Sequence, residues 1–203
     1  MQNLPVVLHS SEMLIAAQGI GKTVTATFIA RDAEIRKHFE LLIWCTLGQM
    51  PDLSRMQSLV YLQATGEGLA PDSTSDQAKE KIRRALQGKR TLLILDDVWS
   101  TTDEQELNFV DVAVASKTLI TTRIRDLGTG VSVELGVPSE ADAVKLLFAS
   151  AGLGEIQDSS LIPPEAAEVV QICGRLPLVR CIFATGVQTC GGCRSAKLAR
   201  SQE

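Results

Sequence analysis

Gly19-Ile20-Gly21-Lys22-Thr23 is a glycine-bearing loop that ends in a cation and a hydroxyl, and its reading decides how the rest of the chain is read. A loop of this kind presents consecutive backbone N–H groups and a helix N-terminus to an anion. Lys22 is then placed to reach the β- and γ-phosphates of a nucleotide, and the Thr23 hydroxyl to ligate Mg²⁺. Five residues alone are a weak signal. About seventy residues downstream, however, runs Leu92-Leu93-Ile94-Leu95-Asp96-Asp97. That is an aliphatic strand fit for burial on both faces, closed by two carboxylates at the end where a nucleotide's metal sits. Together the two stretches point to a P-loop nucleotide-binding domain. The competing reading is a glycine turn plus a core strand that ends in a solvated acidic turn.

The bulk numbers agree with one α/β domain and a small additional piece: 203 residues, 45% of them hydrophobic. A net charge of −4 supplies no basic field for a nucleic-acid backbone, so the expected partner is a small molecule or a protein. Met1-Gln2-Asn3-Leu4-Pro5 has neither a positive n-region nor a cleavage pattern, and no stretch reaches the ~18 uncharged apolar residues of a membrane span. The expectation is a soluble, cytoplasmic protein. Five cysteines, an odd number, suit a reducing compartment. Cys190-Gly191-Gly192-Cys193 has no second pair and no spaced histidines, so it reads as solvated tail; His9 and His38 read as surface residues.

Strand and helix patterns alternate along the chain. Glu12–Ala16 reads as a first strand feeding the glycine loop, followed by one helix to about Lys37 with Val24, Phe28 and Ile35 near one face. Leu41–Leu47 is a second strand, with Trp44 in the core. Helices striped by Met56, Leu59, Val60 and Ala64, and by Ala78, Ile82 and Leu86, lead to the strand that ends in the acids. Asp103, Glu104 and Glu106 read as a solvated acidic face, and Trp99 as core packing. Lys117–Arg123 and Val131–Leu135 complete five strands. The fold class is therefore α/β, a doubly wound, mainly parallel five-stranded sheet. From Pro138 only helical patterns follow, so the expected organisation is a nucleotide-binding domain over 1–137, the start of a helical subdomain over 138–187 and a disordered tail over 188–203.

Six ordered blocks carry a resemblance: GIGKT at 19–23, FELLIWCTLGQ at 39–49, LLILDDVW at 92–99, SKTLITTR at 116–123, VELGVPSEADAVKLLF at 133–148 and CGRLPL at 173–178. Over residues 12–183 the chain resembles the NB-ARC nucleotide-binding domain of plant disease-resistance proteins and the apoptotic protease-activating factor, within the STAND class of P-loop NTPases. The resemblance implies ADP/ATP and Mg²⁺ as cofactors. Gly19, Ile20, Gly21, Lys22, Thr23 and Val24 would hold the phosphates, with Thr23 and Asp96 on the metal. Asp97 would orient the attacking water, Arg123 would sense the γ-phosphate, and Pro177 would lie over the base. It further implies a nucleotide-dependent switch with slow or no ATP hydrolysis in defence or cell-death signalling, and protein partners or self-association in a full-length context.

The chain departs from the family pattern at two glycines. Ala16 stands at the first glycine of the phosphate loop, which reads as shortened, and a Cβ there is expected to cost affinity if the position is left-handed or must closely approach the β-phosphate. Arg175 stands at the second glycine of the helical turn. The family's preceding base-contacting motif, winged-helix domain and repeats are not seen, so a fragment is expected. Two other function classes stay open: a truncated relic that serves only as an interaction module, and a P-loop small-molecule kinase.

Overall fold

The computed structural model describes residues 11–125, 127, 130–150 and 164–177. They fall into two compact units, one running to residue 135 without 18–21, the other made of 18–21 and the residues from 136 onward. His9, Cys190, Cys193 and the tail from 188 lie outside the described residues. Among the described residues no helix is long and apolar enough to cross a membrane.

In the first unit β1 (Ser11–Ile15), β2 (Leu41–Thr46), β3 (Thr91–Val98), β4 (Lys117–Thr122) and β5 (Val131–Glu134) form one sheet in the order β2-β3-β4-β1-β5. Every pairing is parallel. Parallel neighbours cannot be joined by a hairpin, so the chain must cross a face of the sheet between strands, and helices make most of those crossings. Side chains alternate between the faces. Met13, Ile15, Ile43, Cys45, Leu93 and Leu95 enter one core together with Val60, Ala64, Ile82, Leu86 and Leu107. Leu14, Leu92, Ile94 and Leu119 enter the other with Ala26 and Ala30. This two-sided burial is why the strands read as unbroken apolar runs; each buried Leu or Ile contributes about 1.5–3 kcal/mol.

The helices are α1 (Lys22–Arg31), α2 (Ala33–Arg36), α3 (Leu53–Thr65), α4 (Ser75–Leu86) and α5 (Thr101–Leu107). Their ends are chemically marked. Asp52 caps α3, which Gly66 closes at φ 80°, and Thr74 with Gln77 forms a capping box on α4.

Two expectations are corrected here. The single helix to Lys37 is broken at Asp32, whose carboxylate accepts the N–H groups of Glu34 and Ile35 and so starts α2. The face of α1 that turns inward carries Lys22, Ala26 and Ala30, while Val24 and Phe28 are 57% and 73% exposed. Lys22, Ala26 and Ala30 are spaced by four, so burying the lysine at the loop commits that stripe to the sheet, whatever the apolar period suggests. The second correction concerns the acidic segment after β3, which forms α5. There Glu106 pairs with Lys79 at 2.5 Å and Glu104 accepts from Asn108 Nδ2 at 2.7 Å.

β2 is an edge strand, yet its middle is not open. The Gln63 amide accepts the Trp44 N–H and donates to the Trp44 carbonyl, both at 2.9 Å. Trp44 itself packs, half-buried, against the second core, and His38 is exposed as expected.

The second unit contains α6 (Glu140–Ser150) and α7 (Pro164–Ile172). Ser139 accepts the Asp142 N–H and opens α6; Ala143, Val144 and Val170 form the contact between the helices, flanked by Leu147 and Phe148. After α7 the chain turns through Gly174 and Arg175, at φ 58° and 59°. The Arg175 N–H closes on the Val170 carbonyl at 2.9 Å. Arg175 therefore occupies a left-handed position that a glycine takes without strain.

Candidate functional site

β1 leads into the glycine loop and the loop into α1. Gly19 and Gly21 have φ of 82° and 108°. A Cβ added at Gly21 would meet no heavy atom within 4 Å, so glycine is required there by backbone conformation and not by crowding. Ala16 is different from expectation. The non-glycine residues with positive φ among those described are Asp97, Ala115 and Arg175, so Ala16 carries no left-handed strain. It is buried, and its N–H donates to the Thr122 carbonyl at 3.3 Å.

Lys22 is 8% exposed, and its ammonium donates to the carbonyls of Ala16 and Ala17 at 2.7 and 3.0 Å. Burial, and then the nearby Arg123 guanidinium, push its pKa below the usual lysine value, while Asp97 and Asp96 pull the other way. The cation thus sits against two carbonyl oxygens of the chain just after β1.

The two acids are organised by a bulge. Leu95 pairs with Ile120 and Val98 with Thr122, so Asp96 and Asp97 together oppose Thr121 alone. Asp97 takes up the extra length at φ 56°, a conformation Asp tolerates better than most residues. The Thr121 hydroxyl holds both: it donates to Asp96 Oδ1 at 2.7 Å and accepts the Asp97 N–H at 2.9 Å. Thr23 donates to the same Asp96 oxygen at 2.8 Å, so the first turn of α1 is tied to the end of β3. Asp96 is 3% exposed. The two hydroxyl donors offset the cost of burying this side chain.

Arg123 follows β4 directly. Its Nε lies 3.6 Å from Asp97 Oδ1, and its guanidinium carbon lies 4.9 Å from the centroid of the Trp99 ring. Trp99 is half-buried, so the core-packing expectation holds only in part; one ring face carries a cation.

The structure therefore brings Lys22, Thr23, Asp96, Asp97 and Arg123 together. Ile20 and Gly21 precede them on the loop, Val24 on the first turn of α1 is exposed, and Pro177 belongs to the second unit at a half-buried position after α7. Sequence reasoning missed Thr121 and Trp99. Their only sequence signal is position: each stands near the C-terminal end of a strand, where neighbouring parallel strands deliver residues to one place.

The donor set fits a nucleotide–metal group. Thr23 Oγ1 and Asp96 Oδ1 are hard oxygen atoms on two different elements, and Mg²⁺ binds few protein ligands while keeping several waters. No cluster of three or more His, Cys, Asp or Glu side chains suited to a metal occurs among the described residues.

Comparison with known proteins adds the following. The family model of the NB-ARC domain matches residues 13–147. Late blight resistance protein R1-A of Solanum demissum is 27% identical over 168 residues, which is 79% of this chain and 13% of that protein. Disease resistance protein RGA2 of Solanum bulbocastanum is 27% identical over 188 residues, 88% of this chain and 19% of that protein. The chain thus spans less than a fifth of the length of either relative. Among solved structures, a STAND protein (signal transduction ATPase with numerous domains) with a tetratricopeptide repeat sensor from Pyrococcus horikoshii superposes with a TM-score of 0.57 at 20% identity. The match covers 85% of this chain and 27% of that one, a likeness of fold.

Proposed function

The chain belongs to the NB-ARC domain family, and from that premise we propose that it is an adenine-nucleotide-binding switch module that takes ADP or ATP with Mg²⁺. The observation that carries the reading is the double hydrogen bond at Asp96 Oδ1, where Thr23 from the first turn of α1 and Thr121 from the neighbouring strand converge. Such an oxygen pair at the end of a phosphate loop has no packing purpose that an apolar pair would not serve better.

Gly19, Ile20, Gly21 and Val24 supply backbone N–H groups to the phosphates in this reading, and Lys22 turns its ammonium from the Ala16 and Ala17 carbonyls toward them. Thr23 and Asp96 hold Mg²⁺, which when bound neutralises charge on the outer phosphate oxygens. Asp97 orients water, and Arg123 senses a third phosphate. Hydrolysis is slow in this reading, because the Asp97 carboxyl group is already engaged by the Arg123 guanidinium at 3.6 Å instead of being directed at a water. The disease-resistance names of the relatives support a place in defence signalling, with further protein partners or self-association in a longer chain. A switch of this kind works only if ADP and ATP bind its two arrangements with different affinities.

The test is calorimetry with Mg²⁺–ADP and Mg²⁺–ATP. Lys22→Ala should weaken both by at least ~2 kcal/mol, about thirtyfold, the effect of removing one charge-assisted partner. Absence of binding to the parent chain would favour a relic that keeps the fold without the ligand.

A further inference from the structure

The register of the sheet places two residues side by side just beyond its hydrogen-bonded rim. Val98 pairs with Thr122, so Trp99 and Arg123 are the next residues of adjacent strands. The guanidinium lies over the indole at 4.9 Å, the Arg123 side chain as a whole is 31% exposed, and its pairing with Asp97 is loose at 3.6 Å. The indole Nε1 is buried without a hydrogen-bond partner among the described residues. An indole kept only for packing could be an apolar residue with no orphan donor.

Stacking uses the flat face of a guanidinium and leaves its in-plane N–H groups directed at acceptors. An arginine stacked on a ring can therefore exchange one anionic partner for another without leaving the ring. Asp97, held beyond ordinary hydrogen-bond length, is the partner such an exchange would release. We propose that Trp99 is the positioning residue for Arg123, a fixed platform on which the guanidinium passes from the Asp97 carboxylate to the third phosphate of a nucleoside triphosphate. This rests on the nucleotide-switch reading above and adds the element that lets the site tell a triphosphate from a diphosphate.

The experiment uses the full chain with Trp44→Phe, so that Trp99 is the single tryptophan, and titrates Mg²⁺–ADP and a Mg²⁺-bound non-hydrolysable ATP analogue by calorimetry and emission. The analogue should shift the Trp99 emission and ADP should not. In the parent background Trp99→Leu should weaken the analogue about fivefold and ADP by less than about twofold, in keeping with a half-exposed cation–π contact. Trp99→Phe, which keeps a ring face, should restore most of the difference, and Trp99→Leu should have no further effect on the analogue once Arg123→Ala is present. Equal losses for both ligands, or an additive effect with Arg123→Ala, would overturn the platform while leaving nucleotide binding intact. A parent chain that binds neither ligand overturns both readings.

Discussion

Thr121→Val replaces a hydroxyl by a methyl of nearly the same shape at a fully buried position, and so isolates what the bulge depends on. The Thr121 hydroxyl makes a bond to an ionised acceptor, Asp96, and receives the Asp97 backbone N–H. A hydrogen bond to a charged group contributes about 1.5–3 kcal/mol, and a buried N–H left without a partner costs about 1–3 kcal/mol. Burial of the new methyl returns about 1 kcal/mol. The net expected loss is about 1.5–5 kcal/mol, which at an m-value of about 2 kcal/mol per molar lowers the urea midpoint by about 0.8–2.5 M. Thr121→Ser keeps the hydroxyl and loses only a methyl, so its loss should stay near ~1 kcal/mol. A cycle with Asp96→Asn should show positive coupling, since the two side chains share a bond. If Thr121→Val is within ~0.5 kcal/mol of the parent, or Ser and Val behave alike, the bulge is held by packing and the reasoning about the hydroxyl is wrong.

Asp97→Asn should reduce phosphate release in single-turnover assays while ADP affinity stays within about threefold, whereas Asp96→Asn should abolish the Mg²⁺ dependence of ATP binding; parent turnover should fall below roughly one per minute. Cys45 is fully buried, and burial pushes its thiol from the ordinary 9.0 up to about 11. A pKa raised on folding gives stability that is intact below the ordinary value and is lost as pH rises through the folded one. The stability difference between parent and Cys45→Ala should therefore shrink by about 2–3 kcal/mol between pH 9 and 11 in urea melts, and iodoacetamide should not label the folded thiol at pH 8. The two departures from the family's glycine pattern should behave oppositely. Arg175→Gly, at φ 59°, should raise stability by about 1 kcal/mol, while Ala16→Gly, in a conformation open to any residue, should lower it by about 0.5–1 kcal/mol and leave ADP affinity unchanged. A gain in ADP affinity for Ala16→Gly would show that the loop and not the backbone angle limits binding.

What could be read in advance was what a single segment carries by itself. Leu92–Asp97 announces a strand buried on both faces because both sets of alternating residues are aliphatic, and Gly66 announces the end of α3 because few other residues accept its backbone angle. Lys22, Thr23, Asp96 and Asp97 are nameable from their own stretches, a glycine loop that ends in a cation and a hydroxyl and an apolar run that ends in two acids, whereas Arg123 is named only through the family resemblance. The missed features depend on a neighbour. Nothing within Lys117–Thr122 says that Thr121 will face two acids, because that follows from the one-residue slip between β3 and β4. Nothing near Trp99 says that Arg123 will lie on it. The break at Asp32 was hidden because Asp32 lies inside a stretch of good helix formers, and its capping role appears only once its carboxylate turns to the N–H groups ahead.

The Gln63 amide has a consequence for the chain at high concentration. In a strand paired on one side, alternate residues direct their N–H and C=O outward, which for β2 means Leu42, Trp44 and Thr46. Gln63 from α3 occupies the central one of these three, giving the backbone a single residue's worth of counterfeit strand. An incoming chain finds no two successive docking points along this rim, so it cannot zip onto it in register. The side of the sheet that would otherwise seed ribbon-like polymers is thus interrupted at its midpoint by one side chain.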